Sequence, residues 1–234
     1  MSNLFDAKHD EQEESHWLSV SDLMAGLMMV FLFIAIALMR NAFAERDKIK
    51  QVAVAYQENQ VAIYDALTAE FAGDLESWNA DIDENTLTFT FKAPEVLFKT
   101  GEADISVQYQ KLLNEFFPRY MSVLRPFQSS INEVRIEGHT SSVWSANCIN
   151  ECAYFRNMRL SQGRTRSVLE YIYTLNSSIP DLPWITKHIA AVGLSSSKII
   201  KDGEVENKAK SRRVSFRVIT NADIQIKRIL QEST

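Results

Sequence analysis

Apolar and polar positions divide the chain into three regimes. Residues 17–39 are apolar almost throughout, a longer run than the ~20 residues a helix needs to cross a hydrocarbon core. Over 41–77 the pattern becomes amphipathic and helical. There is no proline, Gly73 is the only glycine, and Val52, Tyr56, Ile63, Leu67, Phe71 and Leu75 recur near one helical face. From Trp78 the period falls to two. Leu87, Phe89 and Phe91 alternate with Thr86, Thr88, Thr90 and Lys92, and Ile82 sits on a preceding strand turned by Asp83, Glu84 and Asn85. The spacing then predicts a helix over 106–124 with Leu112, Leu113, Phe116 and Phe117 inward. A strand follows over 131–137, a helix over 157–175, a short strand over 189–192 and a last strand over 214–219. That order predicts an α+β domain over 78–222, with helices on one face of a mixed sheet. Around it the chain reads as a tail (1–16), a transmembrane helix (17–39), a helical stalk (40–77) and a C-terminal tail (223–234).

Charge changes the reading of the apolar run. Asp22 is the only charged residue within 17–39, and a carboxylate there costs about 2.5–3.5 kcal/mol on insertion scales. Two roles are open. Asp22 takes up and releases an ion, most simply a proton, inside a complex that shields it, or it is a structural carboxyl bonded to Ser19 or Ser21. On a helix Ser19, Asp22, Gly26, Met29 and Phe33 share one face, and Ala25 and Gly26 let another helix approach. The stripe over 41–77 also needs a cover, either a second copy in a dimeric stalk or the C-terminal domain.

The rest of the composition is mainly exclusive. Hydrophobic residues make up 46% and the net charge is −5, while the mean hydropathy is −0.17; one span is embedded and the remainder suits water. With no dense basic run, nucleic acid is not expected as a direct partner. The acidic tail, bearing Asp10, Glu11, Glu13 and Glu14, should be flexible, and no small-residue site follows the apolar run, which reads as an uncleaved anchor. Cys148 and Cys152 lack the companions of a zinc set; in an oxidising compartment they form a local disulfide, in a reducing one two free thiols. Ser195, Ser196, Ser197 and Lys198 have no positioned base, so neither enzyme activity nor a cofactor is expected.

Two resemblances sharpen this picture. Trp17, Asp22, Met24, Met28, Met29, Phe31 and Leu32 resemble the single span of MotB-like stator subunits, and WLSVSDLMAGLMMVFLF is most similar to the Zorya branch of that family. The resemblance implies that Asp22 carries H+, with Na+ as the alternative. It implies a dimer of this chain inside five copies of a MotA-like or ZorA-like multi-span partner. It places the chain in a bacterial inner membrane and gives it a role in antiviral defence. Flagellar MotB itself is the near alternative. A passive tether from membrane to peptidoglycan, without ion flux, is the distant one.

Four further pieces resemble the OmpA-like peptidoglycan-binding family, in its order: LFKTGEADI at 97–105, IEGHT at 136–140, NMRLSQGRTRSV at 157–168 and SRRVSFRV at 211–218. This implies a pocket for the peptide stem of peptidoglycan, with Arg164 meeting a carboxylate and Thr140 and Ser141 beside it. Asn157, Leu160 and Ser161 match a helix start whose free backbone N–H groups favour an anion. Arg212 and Arg213 match a pair leading into the last strand. Ser141 departs from the family Asp that meets the ligand ammonium, a role that Glu151 or another carboxylate would have to take. Thr165 and Ser211 replace the usual Ala and Asn, and the later Gly-x-Gly loop becomes GLSSSKI at Gly193. Read singly, Gly138 and His139 would make a turn, Arg164 a solvated cation, and Arg212 and Arg213 strand-edge charges.

Orientation sets two arguments against each other. Lys8 is the one cation before the span, and Arg40, Arg46, Lys48 and Lys50 follow it, which puts the N-terminus outside by the positive-inside rule. The cysteine pair and the wall-binding pieces put the C-terminal domain in the periplasm and the N-terminus in the cytoplasm, and this second reading rests on more residues.

Overall fold

The computed structural model describes residues 6–92 and 97–221, with side chains from residue 20 onward except 176–178; residues 1–5 and the expected tail at 223–234 lie outside the described residues. The chain forms two compact units, one through Val52 and one from Ala53 onward.

Helix α1 (Asp6–Phe71) begins inside the stretch expected to be a flexible tail. The tail lacks apolar periodicity, but Ala, Glu and Gln are good helix formers, and acidic side chains near a helix N-terminus complement its dipole. The apolar window from Val20 has a mean hydropathy of 2.4 and none of it is buried. Leu23, Met28, Phe31 and Phe33 are all exposed. A helix this long and apolar is able to cross a hydrocarbon core.

The second unit divides the stripe of α1. Ile63, Leu67 and Phe71 are fully buried in its core, whereas Tyr56 is exposed and Val52 half-buried. The Phe71 ring lies 5.2 Å from Phe89 and 5.3 Å from Phe116. Arg119 fixes this end from outside, bonding Glu70 at 2.6 Å and Asp74 at 2.8 Å with its guanidinium 4.8 Å above Phe71. The last turns of α1 are therefore spent on their own domain.

Five strands make the main sheet: β1 (Ala80–Asp83), β2 (Thr88–Phe91), β3 (Ile131–His139), β4 (Ile189–Gly193) and β7 (Arg213–Thr220). Their order is β1-β2-β7-β3-β4, with β3 and β4 parallel and the other pairs antiparallel. Alternation sends Val134, Ile136, Val214, Phe216 and Val218 into the core. On the other face Arg135 pairs with Arg217, Glu137 with Ser215 and His139 with Arg213. Helices α2 (Val107–Leu124) and α3 (Glu151–Thr174) cover the apolar face, joined by the short α4 (Leu182–His188) through Ile185. Ser106 caps α2 by accepting the Tyr109 N–H at 3.0 Å. A small hairpin, β5 (Lys201–Asp202) and β6 (Val205–Glu206), and the one-turn helix α5 (Lys208–Ser211) precede β7.

Two glycines set how closely α3 lies on the sheet. A Cβ at Gly138 would sit 2.8 Å from the Ser161 carbonyl oxygen, and one at Gly193 2.4 Å from the Gln162 nitrogen. Backbone thus meets backbone where β3 and β4 cross α3. Gly138 and His139 belong to this strand and make no turn.

Candidate functional site: a cationic cleft at the end of β3

A cavity of about 410 Å³ opens where β3 ends against α3. It gathers Thr140, Ser141, Asn157, Leu160, Arg164 and Arg212 from three separate sequence pieces, and adds Phe98, Thr100 and Gly101 from a fourth. Asn157, Leu160 and Arg164 reach it together because they share one face of α3. Asn157 donates through Nδ2 to the Ser141 carbonyl at 3.0 Å and the Val143 carbonyl at 3.3 Å, which pins the wall to the helix.

Arg164 is not the solvated cation its isolated sequence would suggest. Only 7% of it is exposed. Its Nε donates to the Glu102 carbonyl at 3.0 Å, its Nη2 to the Lys99 carbonyl at 3.3 Å, and the guanidinium lies 4.8 Å from the Phe98 ring. A fork held this way loses little freedom when it meets a carboxylate. Beside it the Thr140 N–H is taken by the Ser195 carbonyl at 2.9 Å. The buried Thr140 hydroxyl has no hydrogen-bond partner among the described residues. Ser195 itself is spent, its hydroxyl donating to the Tyr154 carbonyl at 2.7 Å.

Three expectations need correction. Helix α3 starts at Glu151, not beside Asn157, so the backbone N–H groups at Asn157 and Ser161 lie inside the helix and are committed to its own ladder. The earlier start follows the loop closed by the Cys148–Cys152 disulfide, with Asn150 at φ 50°. Arg213 does not reach the cleft. Neighbours along an extended strand point to opposite faces, and Arg213 donates instead to the Ser211 carbonyl at 3.1 Å and the Lys198 carbonyl at 3.2 Å. Ser161 is likewise structural, its hydroxyl accepting the Ser195 N–H at 3.1 Å.

Charge bears on the departure at Ser141. Among the described residues, Arg164, Lys208 and Arg212 line the cleft and no carboxylate does. Glu151 lines a neighbouring cavity. Glu206 approaches, but it accepts the Ser142 N–H at 2.9 Å and the Ser142 hydroxyl. Neither carboxylate replaces the family Asp at Ser141. The described cations of this cleft favour an anion. Phe98, Thr100 and Gly101 lie in a piece the sequence had flagged without assigning roles. Lys208, Val143 and Trp144 carried no signal, because only folding brings them to the cleft.

Behind the cleft two buried titratable groups meet on the helix-free face, His139 Nε2 at 3.5 Å from Glu137 Oε2. Burial pushes His139 below the usual imidazole range, helped by the positive charges of Arg213 and Lys198 and opposed by Glu137. Burial pushes Glu137 up, but its hydrogen bond to His139 and the charges of His139, Arg217 and Arg135 outweigh this and leave it below the usual carboxylate range. Both shifts act in one direction. The fold prefers neutral His139, so that contribution is complete above the unfolded imidazole value of about 6.5 and is lost as pH falls below it. Glu137 adds a further loss at lower pH. Near-ultraviolet melting of the full chain in detergent should show the domain's midpoint falling by roughly 3 °C between pH 7 and 5.5, and His139→Gln should flatten that slope. An unchanged slope would exclude His139 as its source.

Comparison with known proteins follows the same division into span and domain. No family model matches the chain. Among solved structures, it resembles a MotB-like protein from Desulfovibrio vulgaris at 21% identity and TM-score 0.49, covering 73% of this chain and 94% of that one. It also resembles the cell wall anchor of the T6SS from Pseudomonas aeruginosa, at 19% identity and TM-score 0.45, covering 66% and 96%. Neither likeness bears on the assignment. The Zorya protein ZorB of Escherichia coli strain Crooks does: it is 50% identical over 223 residues, 95% of each chain. Half of the aligned residues are shared across nearly the whole length of both proteins, and this chain therefore belongs to the ZorB family.

Proposed function

We propose that the chain is the single-span stator subunit of an ion-driven motor in Zorya-type anti-phage defence, moored to peptidoglycan by its sheet domain. Its N-terminus is cytoplasmic and its domain periplasmic. Two copies sit within five copies of a MotA-like or ZorA-like multi-span partner. Asp22 carries the ion, H+ rather than Na+. Uptake of the ion removes the charge of Asp22, release restores it, and the change shifts contacts with the surrounding subunits. Mooring lets the resulting torque act against a fixed point.

The observation that carries the wall reading is the cleft: a buried, carbonyl-anchored Arg164 with Arg212 and Lys208 in the same lining. A stem peptide bears several carboxylates, which suits these donors. The full chain in detergent should pellet with purified sacculi, and free stem tripeptide (L-Ala-D-Glu-meso-diaminopimelate) should release it. Failure to pellet would remove the mooring. The cleft also predicts a gain of function. Ser141→Asp restores the family acceptor for the ligand ammonium at this position and should tighten tripeptide binding by about fivefold to tenfold. Calorimetry checks this, and unchanged or weaker binding would place the ammonium elsewhere.

A further inference from the structure

A second cavity of about 520 Å³ adjoins the cleft and shares Val143 and Trp144 with it. Its wall is the disulfide-closed loop and the first turn of α3, and it displays apolar groups to solvent. Ile149 is 68% exposed, Phe155 67% and Trp144 38%. Tyr154 and Phe155 meet edge to face at 5.6 Å. The Cys148–Cys152 bond brings the ends of the loop that carries Ile149 to 5.2 Å between Cα atoms, and Tyr154 and Phe155 stand on α3 immediately after it. Clustered exposed rings of this kind mark a contact surface.

We propose that this second cavity is a glycan subsite, in which the aromatic rings beside the cleft pack against the amino-sugar chain that carries the stem. This rests on the reading that the cleft takes the stem. Stem and glycan are covalently joined, so a stem seated in the first cavity delivers its sugars to the mouth, where Trp144 forms the shared wall. Sugar rings present C–H faces with slight positive charge, which match the negative face of an aromatic ring. Hydroxyl and acetamide groups find partners in Ser142, Ser145, Asn150 and Ser196 around the rings. Glu151, the one carboxylate in this lining among the described residues, is compatible with neutral sugars and would repel a second anionic stem.

The test uses the full chain in detergent and calorimetry with two probes, the free stem tripeptide and the same tripeptide on its N-acetylglucosaminyl-N-acetylmuramyl disaccharide. The disaccharide form should bind roughly tenfold more tightly, about what one or two well-packed rings contribute. Phe155→Ser should abolish that advantage and leave tripeptide affinity unchanged, and Phe155→Trp should retain it. Equal affinities for the two probes, or an advantage that survives Phe155→Ser, would overturn the subsite while sparing the stem reading. Failure of the wild type to bind the tripeptide would overturn the stem reading, and the subsite with it. If Phe155→Ser instead converts dimer to monomer in sedimentation velocity and both ligand affinities stay put, the patch belongs to a second copy of the chain and the subsite is overturned.

Discussion

Asp22→Asn should abolish phage protection outright, returning plaque counts to those of cells that lack the system. The substitution keeps size and hydrogen bonding but removes the ionisable proton. A potential of 100 mV supplies about 2.3 kcal/mol per charge that crosses it, comparable with the ~2.5–3.5 kcal/mol a carboxylate costs in the span. Loading and unloading Asp22 can therefore be driven by the membrane potential, and Asn can do neither. Asp22 is exposed on α1 in a window of which nothing is buried. On the motor reading, the groups that shield it belong to other subunits. Insertion and pelleting with sacculi should stay normal, since the variant leaves the domain untouched. A passive tether would keep full protection, so wild-type plaque counts for Asp22→Asn would end the motor reading.

Arg164→Ala should release the chain from sacculi, lowering affinity by a factor of about 30 to several thousand, as expected when one partner of a buried charge-assisted pair is truncated. Two effects add. The ligand carboxylate loses its fork, and the carbonyls of Lys99 and Glu102 lose a donor that holds the cleft wall. Arg164→Lys separates them. Lysine keeps the charge but cannot span both carbonyls or lie flat over Phe98, so it should recover only a small part of the binding. Thermal midpoints of both variants show whether the wall has moved. Pelleting unchanged in Arg164→Ala would remove the cleft as the mooring site, and protection should fall in step with pelleting if torque needs a fixed point.

The sequence was most legible where one period ran long. The alternation through Val134 and Ile136, and again through Val214, Phe216 and Val218, marked β3 and β7 because each strand has one apolar face and one polar face. The apolar run around Asp22 needed no fold at all, since hydrocarbon thickness alone sets its length. Local pattern failed where elements are short or where burial crosses between them. The two-residue strands of β5 and β6 have no period to detect. The start of α3 was hidden behind the disulfide loop, whose residues carry no helical stripe. Helicity from Asp6 rests on propensity and charge, which the absence of apolar spacing concealed.

Composition and order thus determined that one apolar helix leads into a mixed α+β domain, and singled out Asp22 and four separated pieces as candidates for its chemistry. Which members of those pieces meet was settled only by tertiary contact. Arg212 lines the cleft and Arg213 faces away, although they are adjacent in sequence. Ile63, Leu67 and Phe71 join the domain core while Tyr56 on the same stripe stays exposed. Lys208 and Trp144 enter the site without any motif to announce them. The reason is physical: periodicity records the face a residue occupies on its own element, whereas a site is made by the faces of different elements, and their meeting depends on packing between segments far apart in the chain.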